Sequence, residues 1–388
     1  MKALHGVRVL EYCRGISGAY CTKLMADLGA EVIHVEPPGE GDDARRLPPF
    51  AGDVPHPEKS GLFLFLNTNK LSITLNPRLS AGKEIFRQLA AHADVVLEDW
   101  PPGHMEEIAL DYDALRALNA TLVMASLTPF GRSGPYKDYK AYGLNIAHAS
   151  GQGYMLPLPA PHLERAPIKI GGNCTDYDSG QTMALAILAA LYWRAVTGRG
   201  QLVEVAQQEA VLSLQRIENV AYANSGEVLT RQGPKADPGI TQMFQCRDGY
   251  VVLCTPLEHQ KSGLRKLAGV ETEVEPERLH RELTIRMQQR TTADVCAEAQ
   301  SLSIPISPVN SSQGVATSPQ FAARGFFAEV DHPSVGTVTM PKGPCFFSRT
   351  PFEIQRAPRL GEHNELIYAQ RLGFDARQLR TLRETGVI

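Results

Sequence analysis

Residues 1–130 alternate between short β-rich runs and helical patterns, and this alternation restricts the fold more than any other feature of the chain. A β-rich run at 7–11 is followed by a helical pattern at 19–28 and a second β-rich run at 31–36. Strand, helix and strand within about thirty residues predict a βαβ unit with a right-handed crossover and parallel strands. The alternation continues in the same manner, with strands predicted at 71–75, 94–97 and 122–127 and helices at 81–92 and 111–118. We therefore predict an open α/β sheet with helices on both faces.

A long apolar helix, at about 179–197, is predicted in the middle of the chain and ends at Gly198. A strand at 201–205 and a helix at 207–222 follow it, and a glycine- and proline-bearing stretch at 225–239 is typical of a linker. The next residues predict a smaller α+β unit, with a hairpin at 243–254 and a helical segment at 259–302. Near the C-terminus, the predicted elements are strands at 336–340 and 345–347 and a short helix at 364–372. Because 388 residues exceed one ordinary core, we expect two domains.

The composition is that of a soluble globular protein, with 43% hydrophobic and 21% charged residues. A formal net charge of -3 gives no reason to expect a nucleic acid or an anionic membrane as partner. The seven cysteines are scattered and never spaced as C-x-x-C, so neither a disulfide framework nor a zinc site is expected. The most apolar run, at 183–193, is shorter than the ~20 residues that a membrane span needs. The N-terminus also lacks the apolar core of a signal peptide, and we expect a cytoplasmic protein.

An acidic turn from Asp176 to Gly180 lies directly before the long apolar helix. A carboxylate at the mouth of a buried helix is partly shielded from water, yet the positive end of the helix dipole can keep it ionised. Such a carboxylate can act as a nucleophile. Aspartate at this point in a helix is also a common N-cap, and both Asp176 and Asp178 are candidates for that role.

The first turn, between the strand at 7–11 and the helix at 19–28, contains Gly15 and Gly18 in the pattern G-x-x-G. A nicotinamide site needs G-x-G-x-x-G, so the turn that cradles a pyrophosphate is incomplete, although Glu36 ends the second strand as in such sites. The two glycines equally permit a tight strand-to-helix turn. The helix N-terminus remains able to receive a phosphate or another anion.

Basic and aromatic residues are interleaved downstream of this turn. A single basic residue is usually solvated, but the set as a whole fits a ligand with several phosphates beside a flat aromatic ring. The basic members are Arg45, Arg46, Lys70, Arg78 and Lys140, and the apolar members are Leu75, Trp100 and Tyr142.

Five local patterns, in one order and spread over the full length, resemble the class III coenzyme A transferases, the formyl-CoA transferase and carnitine-CoA transferase family. They are LHGVRVLEYCRGISGAYCTKLMADLGAEVIHVEPPGEGDDAR near the start, LNTNKLSITLN from Leu66, PFGRSGPYKDYKAY from Pro129, TDYDSG followed by LAALYWRAVTGRGQ, and PRLGEHNEL from Pro358. The resemblance implies a dimer whose two chains interlock like links. It also implies a Rossmann-like large domain built from both chain ends, here 1–224 and 326–388, and a smaller α+β domain at 225–325.

The resemblance implies that Asp176, four residues before Gly180, is the nucleophile. Its carboxylate attacks the thioester of an acyl-CoA, and CoA then returns to give an aspartyl-CoA thioester that an acceptor acid resolves. The resemblance therefore predicts a CoA transferase with acyl-CoA and carboxylic acid substrates, no permanently bound cofactor and no metal. On this interpretation Asp178 or Ser179 caps the helix.

The CoA contacts that the resemblance implies fall on the first turn, the segment after LNTNK, the end of a predicted strand and the K-A-Y motif. They are Ile16, Ser17, Leu75, Asn76, Pro77, Arg78, Asp99, Trp100, Pro101, Lys140, Ala141, Tyr142 and Gly143. Arg78 and Lys140 are expected at phosphates, and Leu75 and Trp100 as apolar walls.

The chain departs from the formyl-CoA transferases at several positions. Pro37 replaces an arginine, Glu107 replaces a basic residue, and Gly143 replaces a glutamate. Their glycine-run loop over the active site has no counterpart at 233–239. A carboxylic acid other than formate or oxalate is therefore the expected substrate, and the affinity for CoA can differ from that of the formyl enzymes.

Two alternatives to CoA transfer stay open. A related branch racemises 2-methylacyl-CoA with a histidine and the aspartate, but its histidine position is Tyr142 here, and His148 is six residues further on. The other alternative is a CoA-binding protein without catalysis. The acids that are exchanged depend on loops around 152–165 and 234–241, and Asn173, Arg216 and Gln242 are candidates for orienting a carboxylate.

Overall fold

A computed structural model describes residues 2–157, 162–214, 216–231, 241–255 and 257–388. The strands are β1 (Arg8–Tyr12), β2 (Glu31–Glu36), β3 (Leu71–Thr74), β4 (Val95–Glu98), β5 (Val123–Thr128), β6 (Gln201–Ala206), β7 (Thr241–Gln245), β8 (Tyr250–Cys254), β9 (Ile306–Pro308), β10 (Phe327–His332) and β11 (Gly336–Pro341). The helices are α1 (Ile16–Asp27), α2 (Gly61–Leu66), α3 (Ser80–Ala91), α4 (His104–Glu107), α5 (Tyr112–Arg116), α6 (Gly143–Ala149), α7 (Cys174–Thr197), α8 (Gln207–Leu214), α9 (Arg216–Ser225), α10 (Glu258–Ala268), α11 (Pro276–Gln288), α12 (Thr292–Ser301), α13 (Ser312–Ala316), α14 (Pro319–Ala323) and α15 (Ala376–Glu384). Short 3-10 turns lie at Asp43–Arg46, Ala51–Asp53 and Gln152–Met155, and Glu365–Arg371 is a π-helix.

Six strands form one parallel sheet in the order β3-β2-β1-β4-β5-β6. Strand β1 lies at the centre, where Val9 is paired with Val32 of β2 and with Val95 of β4. The chain winds outwards through β2 and β3 on one side and through β4, β5 and β6 on the other. The predicted open parallel α/β sheet is therefore confirmed, and its strand order is that of a Rossmann-like, doubly wound domain.

Both faces of this sheet are covered, which explains why its central strands are largely buried and rich in apolar residues. Val9 of β1 faces a core formed with α1 and α7, whereas Leu10 faces a core formed with α3 and the C-terminal segment. Tyr368 belongs to that second core, and its hydroxyl donates to the Thr74 carbonyl at 2.7 Å. The C-terminal segment therefore packs in the same core as the first strands.

The chain groups into two compact units. The first comprises Met1–Leu156, Pro167–Leu229 and Phe326–Ile388, and the second comprises Pro157–Ala166 and Thr230–Gly325. Both chain ends contribute to the unit that contains the parallel sheet. The domain boundaries predicted from the sequence, 1–224, 225–325 and 326–388, stay a prediction.

The second unit contains an antiparallel sheet in the order β7-β8-β9, with α10, α11 and α12 around its apolar core. The β7–β8 pair is the hairpin predicted at 243–254, with Phe244 paired with Val251. The helical segment predicted at 259–302 contains three helices. Much of the linker predicted at 225–239 lies outside the described residues.

Several predicted elements near the C-terminus differ from the structure. The strand predicted at 336–340 is β11, and it pairs with β10, which the sequence pattern did not indicate. The strand predicted at 345–347 was wrong, because Cys345 and Phe346 are exposed and these residues pair with no strand in the described chain. The helix predicted at 364–372 is a π-helix with wider turns.

A close approach of α1 and α7 sets up the site described below. A Cβ atom on Gly180 would overlap the carbonyl oxygen of Ser17, so only glycine allows the two helices to come this near. Gly18 likewise allows α1 to approach the end of β1 closely, because a Cβ atom there would lie 2.5 Å from the Cys13 sulfur. Both glycines therefore have a packing role.

Candidate active site

A cavity of about 920 Å³ lies at the carboxyl edge of the parallel sheet. It lies beyond the ends of β1 and β4, the neighbouring strands from which the chain winds in opposite directions. In doubly wound sheets the crevice at this switch point is the usual ligand site. The turns after β1, β4 and β5 line it together with the first residues of α1, α6, α7 and α8. The lining residues are Arg14, Gly15, Ile16, Ser17, Asp43, Ala44, Leu47, Arg78, Asp99, Trp100, Pro101, Pro102, Gly103, His104, Glu107, Leu127, Pro129, Ala141, Tyr142, Gly143, Leu144, Lys169, Asn173, Asp176 and Gln207.

Asp99 joins the turn after β4 to the turn after β1. Its carboxylate accepts hydrogen bonds from the backbone N–H groups of Arg14 and Gly15, both at 2.7 Å. A Cβ atom on Gly15 would lie 2.6 Å from Asp99 Oδ2, so glycine is required at that point. Burial raises the pKa of Asp99 to about 7, against the effect of these two hydrogen bonds. The contact holds the start of α1 in place at the cavity floor.

An aromatic stack forms another wall of the cavity. Trp100 stacks on His104 with ring centroids 4.2 Å apart and on Tyr12 at 5.0 Å, and its indole N–H donates to the Tyr12 carbonyl at 3.0 Å. A guanidinium N–H of Arg78 lies 3.3 Å from Nδ1 of His104. Burial lowers the pKa of His104, and the charge of Arg78 lowers it further. The neutral imidazole therefore accepts from Arg78 and orients it.

Asp176 is the third residue of α7 and lies in its first turn. The predicted helix start near 179 was too late, because α7 begins at Cys174 after the N-cap residue Asn173. Asp178 and Ser179 lie deeper in the helix, where the Ser179 hydroxyl donates to the Thr175 carbonyl at 2.7 Å. The prediction that one of them caps the helix was therefore wrong.

The Asp176 carboxylate is half-buried at the cavity wall. Burial raises its pKa, while a hydrogen bond from Ser17 and the positive charge of Lys169 oppose the rise. The Ser17 hydroxyl donates to Oδ1 at 3.3 Å. On the other side, a Cβ atom on Gly143 would lie 2.6 Å from Oδ2, so that oxygen faces a glycine. The carboxylate thus combines partial desolvation with close packing of one of its oxygens against Gly143.

The structure brings most of the predicted CoA-binding residues together around Asp176. Nine of them line the cavity: Ile16, Ser17, Arg78, Asp99, Trp100, Pro101, Ala141, Tyr142 and Gly143. The other four, Leu75, Asn76, Pro77 and Lys140, are not in its described lining. Leu75 is 1% exposed in the sheet core, so the prediction that it walls the ligand site was wrong. The Asn76 N–H donates to the Val387 carbonyl, and Lys140 is exposed to solvent.

Two of the predicted basic candidates are held in buried ion pairs. Arg45 is 0% exposed and makes a bidentate pair with Glu36, at 2.6 and 2.8 Å. Lys70 lies 2.9 Å from Glu11 and 2.9 Å from the Ala19 carbonyl, which it bonds. Neither side chain lines the cavity. The ion pair with Arg45 engages the carboxylate of Glu36, which is the residue that would bind the ribose in a dinucleotide site.

Sequence reasoning missed five polar residues that line the cavity: Arg14, Asp43, His104, Lys169 and Gln207. Gln207 is the first residue after β6, and its place as a polar residue directly after a predicted parallel strand is the signal that could have identified it. Lys169 Nζ donates to the Ile170 carbonyl at 2.9 Å and to the Gly172 carbonyl, before α7.

The residues predicted to orient a carboxylate belong to different parts of the structure. Asn173 lines the cavity of the first unit, whereas Gln242 belongs to the second unit and contacts His280 at 2.7 Å. The Arg216 side chain, residues 232–240 and residues 158–161 lie outside what the structure describes. His148 is not in the described lining of the cavity, whereas Tyr142, which the resemblance predicts at the racemase histidine position, is.

The described ranges contain no group of three or more His, Cys, Asp or Glu side chains arranged to hold a metal ion. Within the same ranges, none of the helices combines the length and apolarity that crossing a bilayer requires.

A doubly wound sheet with a half-buried carboxylate over a large cavity at its switch point defines an α/β protein with a candidate ligand site at the usual place. Residues 4–364 match CoA-transferase family III, and the chain belongs to this family. The expected family membership is thereby confirmed.

Curated relatives and solved structures agree with this assignment. The formyl-CoA:oxalate CoA-transferase of Rhodopseudomonas palustris strain BisB18 is 31% identical, over 100% of this chain and 97% of its own. An acyl-CoA transferase of Fusarium pseudograminearum is 31% identical, over 100% of this chain and 88% of its own. A CAIB/BAIF family protein from Brucella suis superposes with a TM-score of 0.82 and 31% identity, over 95% of this chain and 99% of its own. The Mycobacterium tuberculosis protein Rv3272 gives 0.79 and 28%, over 94% and 99%.

Proposed function

We propose that this protein moves CoA from an acyl-CoA donor to a carboxylic acid acceptor, with Asp176 as the nucleophile. The observation that carries the proposal is the position of the Asp176 carboxylate at the cavity wall, in the first turn of α7. Partial burial strips water from a nucleophile, and a helix N-terminus favours its ionised form. Family membership supports CoA transfer as the reaction class.

The chemistry proceeds by acyl exchange on this one carboxylate. An Asp176 oxygen forms a bond to the thioester carbonyl carbon, the C–S bond breaks, and CoA leaves as the thiolate with a mixed anhydride behind it. The thiolate then attacks the aspartyl carbonyl carbon, and the donor acid leaves as a carboxylate. The acceptor carboxylate attacks the resulting aspartyl-CoA thioester, and the same two steps in reverse release the new acyl-CoA and free Asp176.

The cavity residues have distinct roles in this proposal. Arg78, oriented by His104, binds a phosphate of CoA, and the Trp100 face supports its flat ring. Lys169 and Asn173, which line the cavity with Asp176, orient the acceptor carboxylate. These contacts use charge for the phosphates and apolar surface for the ring.

The acids exchanged differ from formate and oxalate in this proposal. Several relatives are formyl-CoA:oxalate CoA-transferases by name, but this chain has Gly143 and Glu107 at cavity positions where the resemblance implies other residues in the formyl enzymes. Gly143 packs closely against the Asp176 carboxylate, and Glu107 adds a negative charge to the cavity lining.

We also propose that the protein is an interlocked homodimer. Helix α7 exposes Leu185, Tyr192, Trp193 and Val196, which are 69%, 76%, 53% and 67% accessible in the single chain. Large apolar side chains this exposed along one helix are typical of a subunit interface. A second copy of this chain is the occupant that the family resemblance implies.

Covalent trapping tests the nucleophile. Wild type is mixed with formyl-CoA, acetyl-CoA, succinyl-CoA or a 2-methylacyl-CoA, treated with hydroxylamine or borohydride, and mapped by mass spectrometry. We expect modification at Asp176 and a loss of transfer of about 10³-fold or more in Asp176→Asn. Asp178→Asn, in the same helix and outside the cavity lining, is the matched control and keeps transfer within about threefold of wild type.

The other outcomes identify the alternatives. Modification at another residue, or full transfer by Asp176→Ala, overturns the proposal. Exchange of the α-proton of 2-methylacyl-CoA with deuterated water, without an acceptor acid, indicates racemisation instead. Tight CoA binding with no turnover by wild type indicates a binding protein.

A further inference from the structure

We infer that Ser17 and Gln207 form a hydrogen-bonded relay that positions the Asp176 carboxylate, holding Oδ1 so that Oδ2 attacks the thioester. The inference rests on the proposed function, since it concerns the orientation of the same nucleophile. Gln207 Nε2 donates to the Ser17 hydroxyl oxygen at 2.7 Å, and the Ser17 hydroxyl donates to Asp176 Oδ1 at 3.3 Å.

Three helix starts bring these side chains together. Ser17 is the second residue of α1, Asp176 is the third residue of α7, and Gln207 is the first residue of α8. Gly180 lets α7 sit against the Ser17 backbone, which fixes the distance between the two helices. Ser17 is 2% exposed, so bulk water does not compete for its hydroxyl. The relay is therefore built into the packing of the sheet edge.

The direction of the two hydrogen bonds follows from the number of protons that the Ser17 hydroxyl can donate. A serine hydroxyl has one proton to donate and two lone pairs that accept. Because Gln207 donates to the oxygen, the single proton is directed to Asp176 Oδ1. At 3.3 Å the bond is longer than a tight charge-assisted one, and it favours the carboxylate rotamer that keeps Oδ1 beside Ser17.

This arrangement makes the two carboxylate oxygens different. Oδ1 accepts the Ser17 proton, whereas Oδ2 faces Gly143, where a Cβ atom would lie only 2.6 Å away. Among the described residues no other side chain donates a hydrogen bond to Oδ2, so Oδ2 is the oxygen left to attack. In the attack, Oδ2 forms the bond to the carbonyl carbon while the C–S bond breaks and the thiolate leaves, and Ser17 keeps its proton throughout. Ser17 and Gln207 are positioning residues.

The test uses the donor that labels wild-type Asp176 fastest among the four acyl-CoA thioesters above. The labelling rate is measured by rapid quench at saturating donor in Ser17→Ala, Gln207→Met and the double variant. We expect Ser17→Ala to slow labelling about 10- to 100-fold, because it removes a hydrogen bond to a charged group. Gln207→Met slows it less, and the double variant is no slower than Ser17→Ala, because residues of one network are not additive.

Two matched controls separate the relay from a general loss of a polar group. Ser179→Ala removes another buried serine, whose hydroxyl bonds only within α7, and Gln208→Met changes the neighbouring glutamine, which donates to the Ala149 carbonyl. Both are expected to label within about twofold of wild type. Gln207→Glu, whose carboxylate takes the Ser17 proton from Asp176, is expected to be slower than Gln207→Met.

The dissociation constant for CoA, measured by calorimetry, completes the test. The relay predicts that this constant stays within about twofold in both single variants while the labelling rate falls. Additive effects of the two substitutions, an unchanged rate in Ser17→Ala, or a loss confined to CoA affinity would overturn the relay. Full activity of Asp176→Ala would instead overturn the proposed function, so the two failures are distinguishable.

Discussion

Gly143 is the residue that lets the Asp176 carboxylate lie against the start of α6. It is the first residue of α6, and a Cβ atom there would lie 2.6 Å from Asp176 Oδ2. The neighbouring Tyr142 is 83% exposed in the single chain. The position of the carboxylate therefore depends on the absence of one methyl group at residue 143.

Gly143→Ala is expected to slow aspartyl labelling about 10- to 100-fold, because its Cβ atom displaces the end of the Asp176 side chain from its reactive position. The atom in the way belongs to a side chain, so the fold tolerates the change, and Tm is expected to shift by less than about 3 °C. Gly171→Ala, where a Cβ atom meets nothing within 4 Å, is the control and should behave as wild type. Equal labelling rates in the two variants would contradict the role of Gly143 in positioning the Asp176 carboxylate.

Some individual residues of the site could be predicted from the sequence, and others became visible only in the structure. The family resemblance identified Asp176 from its spacing to Gly180. No local pattern indicated that Ser17 and Gln207 would meet it, because the three residues are far apart along the chain. Leu75 was expected to wall the ligand site, but it follows β3 and its apolar side chain is buried in the core.

A buried cluster of charges joins the first three strands of the sheet. Glu11 of β1 lies 3.2 Å from His34 of β2 and 2.9 Å from Lys70, which precedes β3. His34 also lies 3.2 Å from Asp42. Burial alone would raise the pKa of Glu11, but His34 and Lys70 lower it to about 2. Burial likewise opposes the charge on His34, yet Glu11 and Asp42 raise its pKa to about 10.

These shifts predict a pH dependence of stability. The His34 pKa is higher in the folded state than its usual 6.5, so its contribution is complete below about pH 6.5 and is lost as the pH rises through about 10. In that window the free energy of unfolding falls by about 1.4 kcal/mol per pH unit from this group. The Glu11 pKa is lowered, so its contribution is present above about pH 4.5 and is lost as the pH falls through about 2.

Urea unfolding between pH 6 and pH 10 measures this dependence. We expect the slope of unfolding free energy against pH to be smaller in His34→Gln than in wild type, because the variant lacks the titrating group. His5→Gln, at an exposed position, should keep the wild-type slope. Parallel slopes in wild type and His34→Gln would show that His34 does not carry the proton.

The apolar positions of each element were the most predictable part of the fold. Apolar residues that repeat every 2 or every 3.6 positions predicted the six strands of the parallel sheet and α3. The strands were predictable because both faces of the sheet are buried and its strands are rich in apolar residues. The strand predicted at 345–347 shows the limit of such patterns. A short apolar run becomes a strand only if a partner is available, and Phe346 has none among the described strands and is 82% exposed.

At the scale of the whole molecule, the exposed apolar residues of α7 lead to a prediction about assembly. The single chain exposes Tyr192 and Trp193 on a helix whose other side forms the core with α1. Burial of such residues by a second copy stabilises the dimer at roughly 25 cal/mol per Å² of apolar surface. Interlocked chains cannot separate without unfolding.

Subunit exchange tests this prediction. Light scattering after size exclusion should give twice the mass of one chain. Tagged and untagged chains should form mixed dimers when co-expressed, but not when the purified native proteins are mixed. Denaturation and refolding of the mixture should restore exchange, and this is the positive control. A monomer, or exchange in native buffer, would contradict the interlocked dimer.

Local patterns by themselves determined most of the stretches that become strands and helices, and the family resemblance supplied the candidate nucleophile, because periodicity and motif spacing are properties of neighbouring residues. The tertiary structure alone decided which side chains meet at the carboxyl edge of the sheet. Arg45 and Lys70 became buried ion-pair partners, Arg78 reached the cavity, and Gln207 came to bond Ser17. The physical reason is that the packing of α1, α7 and α8 on one sheet sets these distances, and no local propensity records them.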